Sequence, residues 1–342
     1  MLRGERGQAS TTYAGILAIV AVVFGVLFAL NLDGKVRSTA EQALCTIFSG
    51  TDCGEPQARA SGYADDEYDD SGRGDREVFD DRCGGDTPDD PARAEGDTET
   101  GDDQVDQAYI NLGRVYDYYA DRFGHDSYDG DGAPVTGVVN FCRVAGYDTG
   151  VSSFNGEDVN FAPGAGDALD TAAHEFTHGV TAATAGLRYE CQSGALNESI
   201  SDIMAWNLDP EDTTYGEDRN SGVARDYANP ELHGQPGHVD DYNPQPNTDD
   251  GDHGGVHENS GIPNHAYYLI VKRIGRAKAE QIVWRSLTEH LEPDSDFEDF
   301  RTAMLESARE LYGEGDVVDG VNRSFADVGL DGSWEAPEQE GC

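Results

Sequence analysis

Basic residues are what this chain has least of. Lysine occurs three times, at Lys35, Lys272 and Lys278, and lysine plus arginine number 23 against 67 aspartates and glutamates, for a formal net charge of −44. A surface of that sign repels other polyanions, which excludes nucleic acid and anionic lipid headgroups as partners. The six cysteines form no C-x-x-C pair, so a zinc knuckle or dithiol redox motif is excluded too. No internal repeat is present. The acid excess is not confined to one tract: residues 55–106 hold 19 acids and 5 bases, and residues 107–342 hold 44 acids and 14 bases. Such a chain suits salty surroundings or the gathering of divalent cations.

A single long apolar run is present, from Ala14 to Leu30. It is close to the minimum for crossing a bilayer and longer than the usual apolar core of a cleaved signal peptide. Arg3 and Arg6 precede it, which keeps the N-terminus in the cytoplasm and exports the rest. The expected arrangement is a cytoplasmic tip and transmembrane helix over 1–32, a membrane-proximal segment over 33–53, and an extracellular remainder. A removable signal peptide and a secreted protein is the alternative. From 54 to 106 the composition turns to Asp, Glu, Gly, Pro and Ser, which predicts a flexible, self-repelling linker without a core. An even cysteine count in an exported chain points to disulfides. Cys45 and Cys53 are the best local pair, and Cys83, Cys142, Cys191 and Cys342 leave three connectivities open.

The chemistry begins at His174-Glu175-Phe176-Thr177-His178. Side chains four apart share a helix face, so the two histidines can hold one metal ion. Glu175 sits one step round the helix, able to act on a water without being a ligand. Twenty residues past His178 comes Asn197-Glu198-Ser199-Ile200-Ser201-Asp202. A hydrolytic zinc takes three protein ligands and leaves a position for water, and Glu198 completes the set. The five-residue pattern alone arises by chance in polar helices; a third ligand makes that reading untenable.

A third block reads Asp252-His253-Gly254-Gly255-Val256-His257-Glu258-Asn259-Ser260-Gly261-Ile262. In order and spacing the three blocks resemble the thermolysin-like zinc metalloendopeptidases. The likeness extends to Val115-Tyr116-Asp117-Tyr118-Tyr119, Ser127-Tyr128-Asp129-Gly130, Ala185-Gly186-Leu187-Arg188-Tyr189, Ser286-Leu287-Thr288 and Ala326-Asp327-Val328-Gly329, covering roughly residues 105 to 332. The resemblance implies zinc on His174, His178 and Glu198, with Glu175 as general base. It implies that Asp202 accepts the spare N–H of a ligand histidine, that Tyr189 and His257 donate to the oxyanion, and that Asp252 orients His257. Arg225 would hold a substrate carbonyl. Asp170, Asp209, Asp212 and Glu217 match calcium ligands of the family, and calcium favours several carboxylate oxygens.

Departures from the family are equally specific. The strand that pairs with substrate lacks its usual Asn-Ala-aromatic-Trp run and reads Val151-Ser152-Ser153-Phe154-Asn155-Gly156. Thr171 and Ala224 stand where larger aliphatic residues line the specificity pocket. The expectation is therefore a trimmed version of the enzyme, without the family's long folded propeptide and much of its β-rich N-terminal portion.

Periodicity predicts a helix over Gln107–Phe123, strands around Thr136–Val144 and Asp158–Phe161, helices near Leu169–Ala185 and Ala195–Leu208, a loop over 209–260, and three or four helices from Asn264 to Val328. The expected fold is α+β, a small mixed α/β lobe and a helical lobe with zinc in the cleft. The catalytic domain spans 107–332 and a tail follows over 333–342. The expected function is a membrane-anchored extracellular zinc endopeptidase, monomeric, acting on protein or peptide substrates. An exported binding or scaffold protein that keeps the fold without turnover is the alternative.

Overall fold

The computed structural model describes Gly72 and residues 74–342, apart from 85–86, 145–146, 149–150 and 218–221. The expected membrane span over Ala14–Leu30 and the Cys45–Cys53 pair lie outside the described residues. Among the described residues no helix is long and apolar enough to cross a membrane.

The acidic stretch enters the fold earlier than its composition predicts. Strand β1 (Arg76–Asp80) alternates inward and outward residues, with Val78 fully buried. β2 (Arg93–Ala94) pairs with it antiparallel. The linker expectation therefore fails over its second half, and the reason is charge pairing, which composition cannot see. Arg76, fully buried, lies 3.1 Å from Glu95 and over the Tyr109 ring, while Arg93 lies 2.9 Å from Asp106. Paired charges satisfy one another where a net count registers repulsion.

Helix α1 (Asp103–Phe123) begins four residues before the expected start, because Asp102 caps it by accepting from the Gln104 amide. It ends at Gly124, whose φ of 67° is the left-handed C-terminal turn. Its apolar stripe, including Val105, Leu112, Val115 and Tyr119, is buried on the sheet. Strand β3 (Val135–Val139) runs parallel to β1, making a β–α–β crossover, and α1 packs so closely that a Cβ on Gly137 would stand 2.8 Å from Leu112. Two short strands, β4 (Arg143–Val144) and β5 (Tyr147–Asp148), pair separately. β6 (Ser153–Phe154) and β7 (Asp158–Asn160) complete the sheet in the order β2-β1-β3-β7-β6, leaving β6 at an edge.

Helices α2 (Leu169–Ala183) and α3 (Cys191–Leu208) match the expected pair, α3 starting four residues early. From Ser193 to Leu208 every residue of α3 is buried, so its polar side chains are enclosed and must find partners. Ser199 donates to Asn264 Oδ1 at 2.8 Å, and Asn207 donates to the Tyr267 hydroxyl at 2.8 Å. The segment expected to be loop from 209 to 260 carries the hairpin β8 (Thr214–Tyr215) and β9 (Arg225–Asp226), three short 3-10 turns, and α4 (Asp252–Asn259), whose first four residues form a left-handed turn before one turn of helix. Its glycines hide α4 from a periodicity reading. Four helices follow: α5 (Gly261–Ile274), α6 (Arg276–Glu289), α7 (Phe297–Tyr312) and α8 (Asp316–Asp327).

Disulfides join Cys83 to Cys142 and Cys191 to Cys342. The second fastens the last residue to the start of α3, so residues 333–342 are no loose tail. Trp334 also stacks on Phe297, with ring centroids 6.2 Å apart.

Candidate active site

Helix α2 brings His174 and His178 onto one face, with ring centroids 4.8 Å apart and the two Nε2 atoms 3.2 Å apart. From α3, Glu198 Oε2 approaches His174 Nε2 to 3.4 Å and Glu198 Oε1 approaches His178 Nε2 to 3.5 Å. These are the atoms of a metal-binding group, all within 4.8 Å of one another. The outer nitrogens face acceptors: His174 Nδ1 lies 2.9 Å from Asp202 Oδ1 without hydrogen-bond geometry, and His178 Nδ1 hydrogen-bonds Asn197 Oδ1 at 2.8 Å. With Nδ1 protonated on each ring, both Nε2 atoms present lone pairs to the same point as the carboxylate.

Electrostatics agree with a cation there. Burial opposes charge on His174, yet the carboxylates of Asp202 and Glu198 overcome it and raise its pKa to about 10. Burial lowers His178 to about 4. Burial also disfavours the Glu198 anion, but His257 and the two ligand histidines hold it well below the usual carboxylate range. Glu198 Oε2 is buried and has no hydrogen-bond partner. A buried carboxylate oxygen left in that state is destabilising unless a cation completes it, and two imidazoles with one carboxylate are a zinc donor set.

Around this group stand the other expected residues. Glu175 is buried, and desolvation lifts its carboxyl to about 7. Tyr189 is 40% exposed; its hydroxyl donates to Glu198 Oε1 at 2.5 Å and lies 3.1 Å from His257 Nε2. Asp252 contacts His257 twice, with Oδ1 2.6 Å from Nδ1 and Oδ2 accepting from the backbone N–H at 2.9 Å. The Glu198 charge raises the His257 pKa, and Asp252 adds to it against the opposing effect of burial.

Comparison with known proteins decides between a metal site by coincidence and one by descent. A sequence model of the thermolysin metallopeptidase catalytic domain matches residues 87–182, and one of the alpha-helical domain of the same peptidases matches residues 185–330. Neutral protease NprE of Bacillus pumilus is 41% identical over 232 residues, covering 65% of this chain and 76% of that protein.

The chain belongs to the thermolysin family of metallopeptidases.

Bacillolysin of Bacillus amyloliquefaciens is 44% identical over 229 residues, and the match spans 44% of that protein's length. Among solved structures, the precursor of protealysin, a metalloproteinase from Serratia proteamaculans, aligns with a TM-score of 0.65 at 31% identity, covering 76% of this chain and 88% of that one. The two lobes, mixed and helical, are those of the family.

Three of the residues carried over from this family have surroundings that the sequence does not show. Arg225 is buried, donates to Asp202 Oδ1 at 2.7 Å and stacks over the Tyr215 ring at 4.2 Å. It braces the carboxylate that holds His174, and its buried Nε has no hydrogen-bond partner. Of the specificity-pocket pair, Thr171 is fully buried against Asp170, whereas Ala224 is exposed next to β9. The expected substrate strand exists as β6, antiparallel to β7 through Ser153↔Asn160 and Phe154↔Val159.

Calcium is not shown at the acids expected to hold it, where no metal group stands out. Among the described residues the only such group is that of His174, His178 and Glu198. Asp170 Oδ2 accepts from the Gly216 amide at 2.5 Å, and the Thr214 hydroxyl lies 2.7 Å from Asp212 and 3.1 Å from Glu217. Burial, reinforced by the charges of Asp170 and Asp212, raises Glu217 to about 7. Asp209 lies at the end of α3 and is half-buried.

Three functional neighbours escaped the sequence reading. Asn197 accepts from His178 and donates to the Leu187 carbonyl at 3.1 Å. Asn264 donates to Asp202 Oδ2 at 2.8 Å, and the Tyr215 ring lies 5.1 Å from that of His174. Asn197 had a signal in its place beside Glu198; Tyr215 and Asn264 reach the site only through the tertiary fold.

Proposed function

We propose that this chain is a zinc-dependent endopeptidase that cleaves internal bonds of protein substrates outside the cell. The observation that carries the reading is the convergence of His174, His178 and an unpartnered Glu198 oxygen beside Tyr189 and His257. Zinc held by these ligands would supply Lewis acidity, bringing the pKa of a water toward neutrality and polarising a peptide carbonyl. Glu175, with its pKa near 7, takes the proton and returns it to the departing amine. The Tyr189 hydroxyl and a protonated His257 donate hydrogen bonds to the oxygen that gains charge. Asp252 holds His257 in its tautomer, Asp202 and Asn197 hold the ligand histidines, and Arg225 braces Asp202; holding a substrate carbonyl is the further role that the family resemblance gives Arg225. The free edge of β6 pairs with extended substrate backbone.

The test is digestion of casein by the full chain. Chelation should abolish cleavage and zinc should restore it. Glu175→Gln should lower turnover by roughly 10²–10⁴-fold with zinc content unchanged. Cleavage indifferent to chelation, or near-normal turnover in Glu175→Gln, would sink the reading.

Two finer parts of the proposal rest on sequence. Calcium on Asp170, Asp209, Asp212 and Glu217 would stabilise the domain, as their match to family ligands implies. Residues 14–30, behind Arg3 and Arg6, would anchor the protein in the cell membrane with the catalytic domain extracellular. Protease shaving of intact cells should leave a membrane stub; a mature chain starting after the apolar run, with nothing retained in the membrane, would show a signal peptide instead.

A further inference from the structure

The last residues, from Asp331 on, lie beyond the stretch that matches the family's helical domain, yet they fold back onto the catalytic segments. Cys342 is bonded to Cys191, the first residue of α3 and two positions after Tyr189. Gln339 is a hub: its Oε1 accepts from the Tyr242 hydroxyl at 2.6 Å, and its Nε2 donates to the carbonyls of Gln245 at 2.6 Å and Gly254 at 2.8 Å. Asn247 makes a second tie, donating from its backbone to Glu340 at 2.9 Å and from its amide to the Glu190 carboxylate at 2.8 Å. The segment thus touches both stretches that carry the oxyanion donors, 189–191 and 252–257.

What it holds is strained. Asp252, His253, Gly254 and Gly255 have φ of 53°, 48°, 95° and 75° in succession. Left-handed backbone at Asp and His is unfavourable and persists only where the surroundings over-determine it. At Gly254 the fit is tight: a Cβ there would lie 2.8 Å from Gln339 Nε2 and 2.9 Å from the Cys191 Cα. This turn sets His257, because Asp252 accepts from its backbone N–H and faces its Nδ1.

We propose that the C-terminal segment is a covalent strap that positions His257 against Tyr189, with Gln339 as the positioning residue and the Cys191–Cys342 disulfide as a redox-sensitive fastening. The proposal rests on the peptidase reading and adds a regulation to it. A small thiol reductant attacks one sulfur, a second thiol resolves the mixed disulfide, and the bond leaves as two protein thiols while the reductant becomes its own disulfide. Cys342 is exposed to such a reagent. Once released, the segment is held by hydrogen bonds alone, the strained turn relaxes and His257 loses its aim. The zinc ligands, held by Asp202 and Asn197, stay in place.

The experiment uses the full chain and three variants: Gln339→Ala, which keeps the disulfide; Cys191→Ser with Cys342→Ser; and, as control, Cys83→Ser with Cys142→Ser. The first two should lower kcat by about tenfold to a hundredfold, with KM within about twofold and zinc content unchanged. The control should keep the wild-type kcat. Glutathione should bring wild-type kcat down to that of the Cys191/Cys342 variant and leave that variant unaffected. Wild-type kcat in both strap variants, or losses that track lost zinc or lost folded protein, would overturn the proposal. A wild-type chain that cleaves nothing with zinc present would overturn the peptidase reading instead.

Discussion

The two ends of helix α2 gather charge in opposite ways. In its second and third turns His174 and His178 meet Glu198, backed by Asp202 and Asn197, and cationic and anionic groups alternate. In its first turn Asp170 shares a corner with Asp212 and Glu217, where the nearby charges have one sign and Glu217 keeps its proton up to about 7. Complementary donors assemble a metal site before any metal arrives. A cluster of like charges lacks that preorganisation, and its repulsion is relieved by keeping a proton, as Glu217 does, or by taking up an ion.

The sharpest way to break the contrast is at the preformed site. Glu198→Ala should lose the metal and with it all measurable cleavage, since two imidazoles remain and the third ligand is gone; metal analysis and casein digestion read both effects. Full zinc occupancy in that variant would mean that the ligand set is wrong. Next in size is His257→Ala, which touches no metal. It should retain zinc and substrate binding while kcat falls by roughly 10²–10³-fold, the scale of one lost oxyanion donor. A variant that loses KM and keeps kcat would make His257 a binding residue.

The smallest expected effect belongs to the acidic corner. Glu217 titrates near 4.5 when unperturbed and at about 7 in the fold. Between those values the folded state binds a proton that the unfolded state has released, so without calcium stability should fall as pH rises from about 4.5 to about 7. Saturating calcium should flatten that slope and raise Tm near neutral pH, by roughly 2–4 °C for each kcal/mol of binding. Melting curves with and without calcium, after prior chelation, check both. Curves that coincide at every pH would remove calcium from the account.

The same contrast explains what the sequence could disclose. The zinc ligands, Glu175 and the α2–α3 pair are legible because helical spacing turns four residues of separation into one shared face. Tyr189, Asp252 and His257 are legible through family resemblance, and the structure brings them together around Glu198. Strand β1 is not legible, because Arg76 and Arg93 look like scattered charges in an acidic tract until Glu95 and Asp106 are found opposite them. Helix α4 is masked because Asp252 to Gly255 are left-handed turn, which leaves only one regular turn and no apolar period to announce it. Arg225 shows the limit of transfer from a family, since its partner, Asp202, comes only from tertiary geometry.

The bond between Cys191 and Cys342 also has a thermodynamic side. It closes a ring across a sequence separation of 151, enclosing Glu198 and His257 and leaving His174, Glu175 and His178 outside. A loop of that length removes conformational freedom from the unfolded chain worth about 5 kcal/mol at 25 °C in the polymer treatment. One of the three zinc ligands therefore belongs to a chain that cannot fully expand even when denatured, and the other two to one that can. Heat that separates them leaves the ring constrained around one ligand, and recapture of zinc waits on the return of the open segment that carries both histidines.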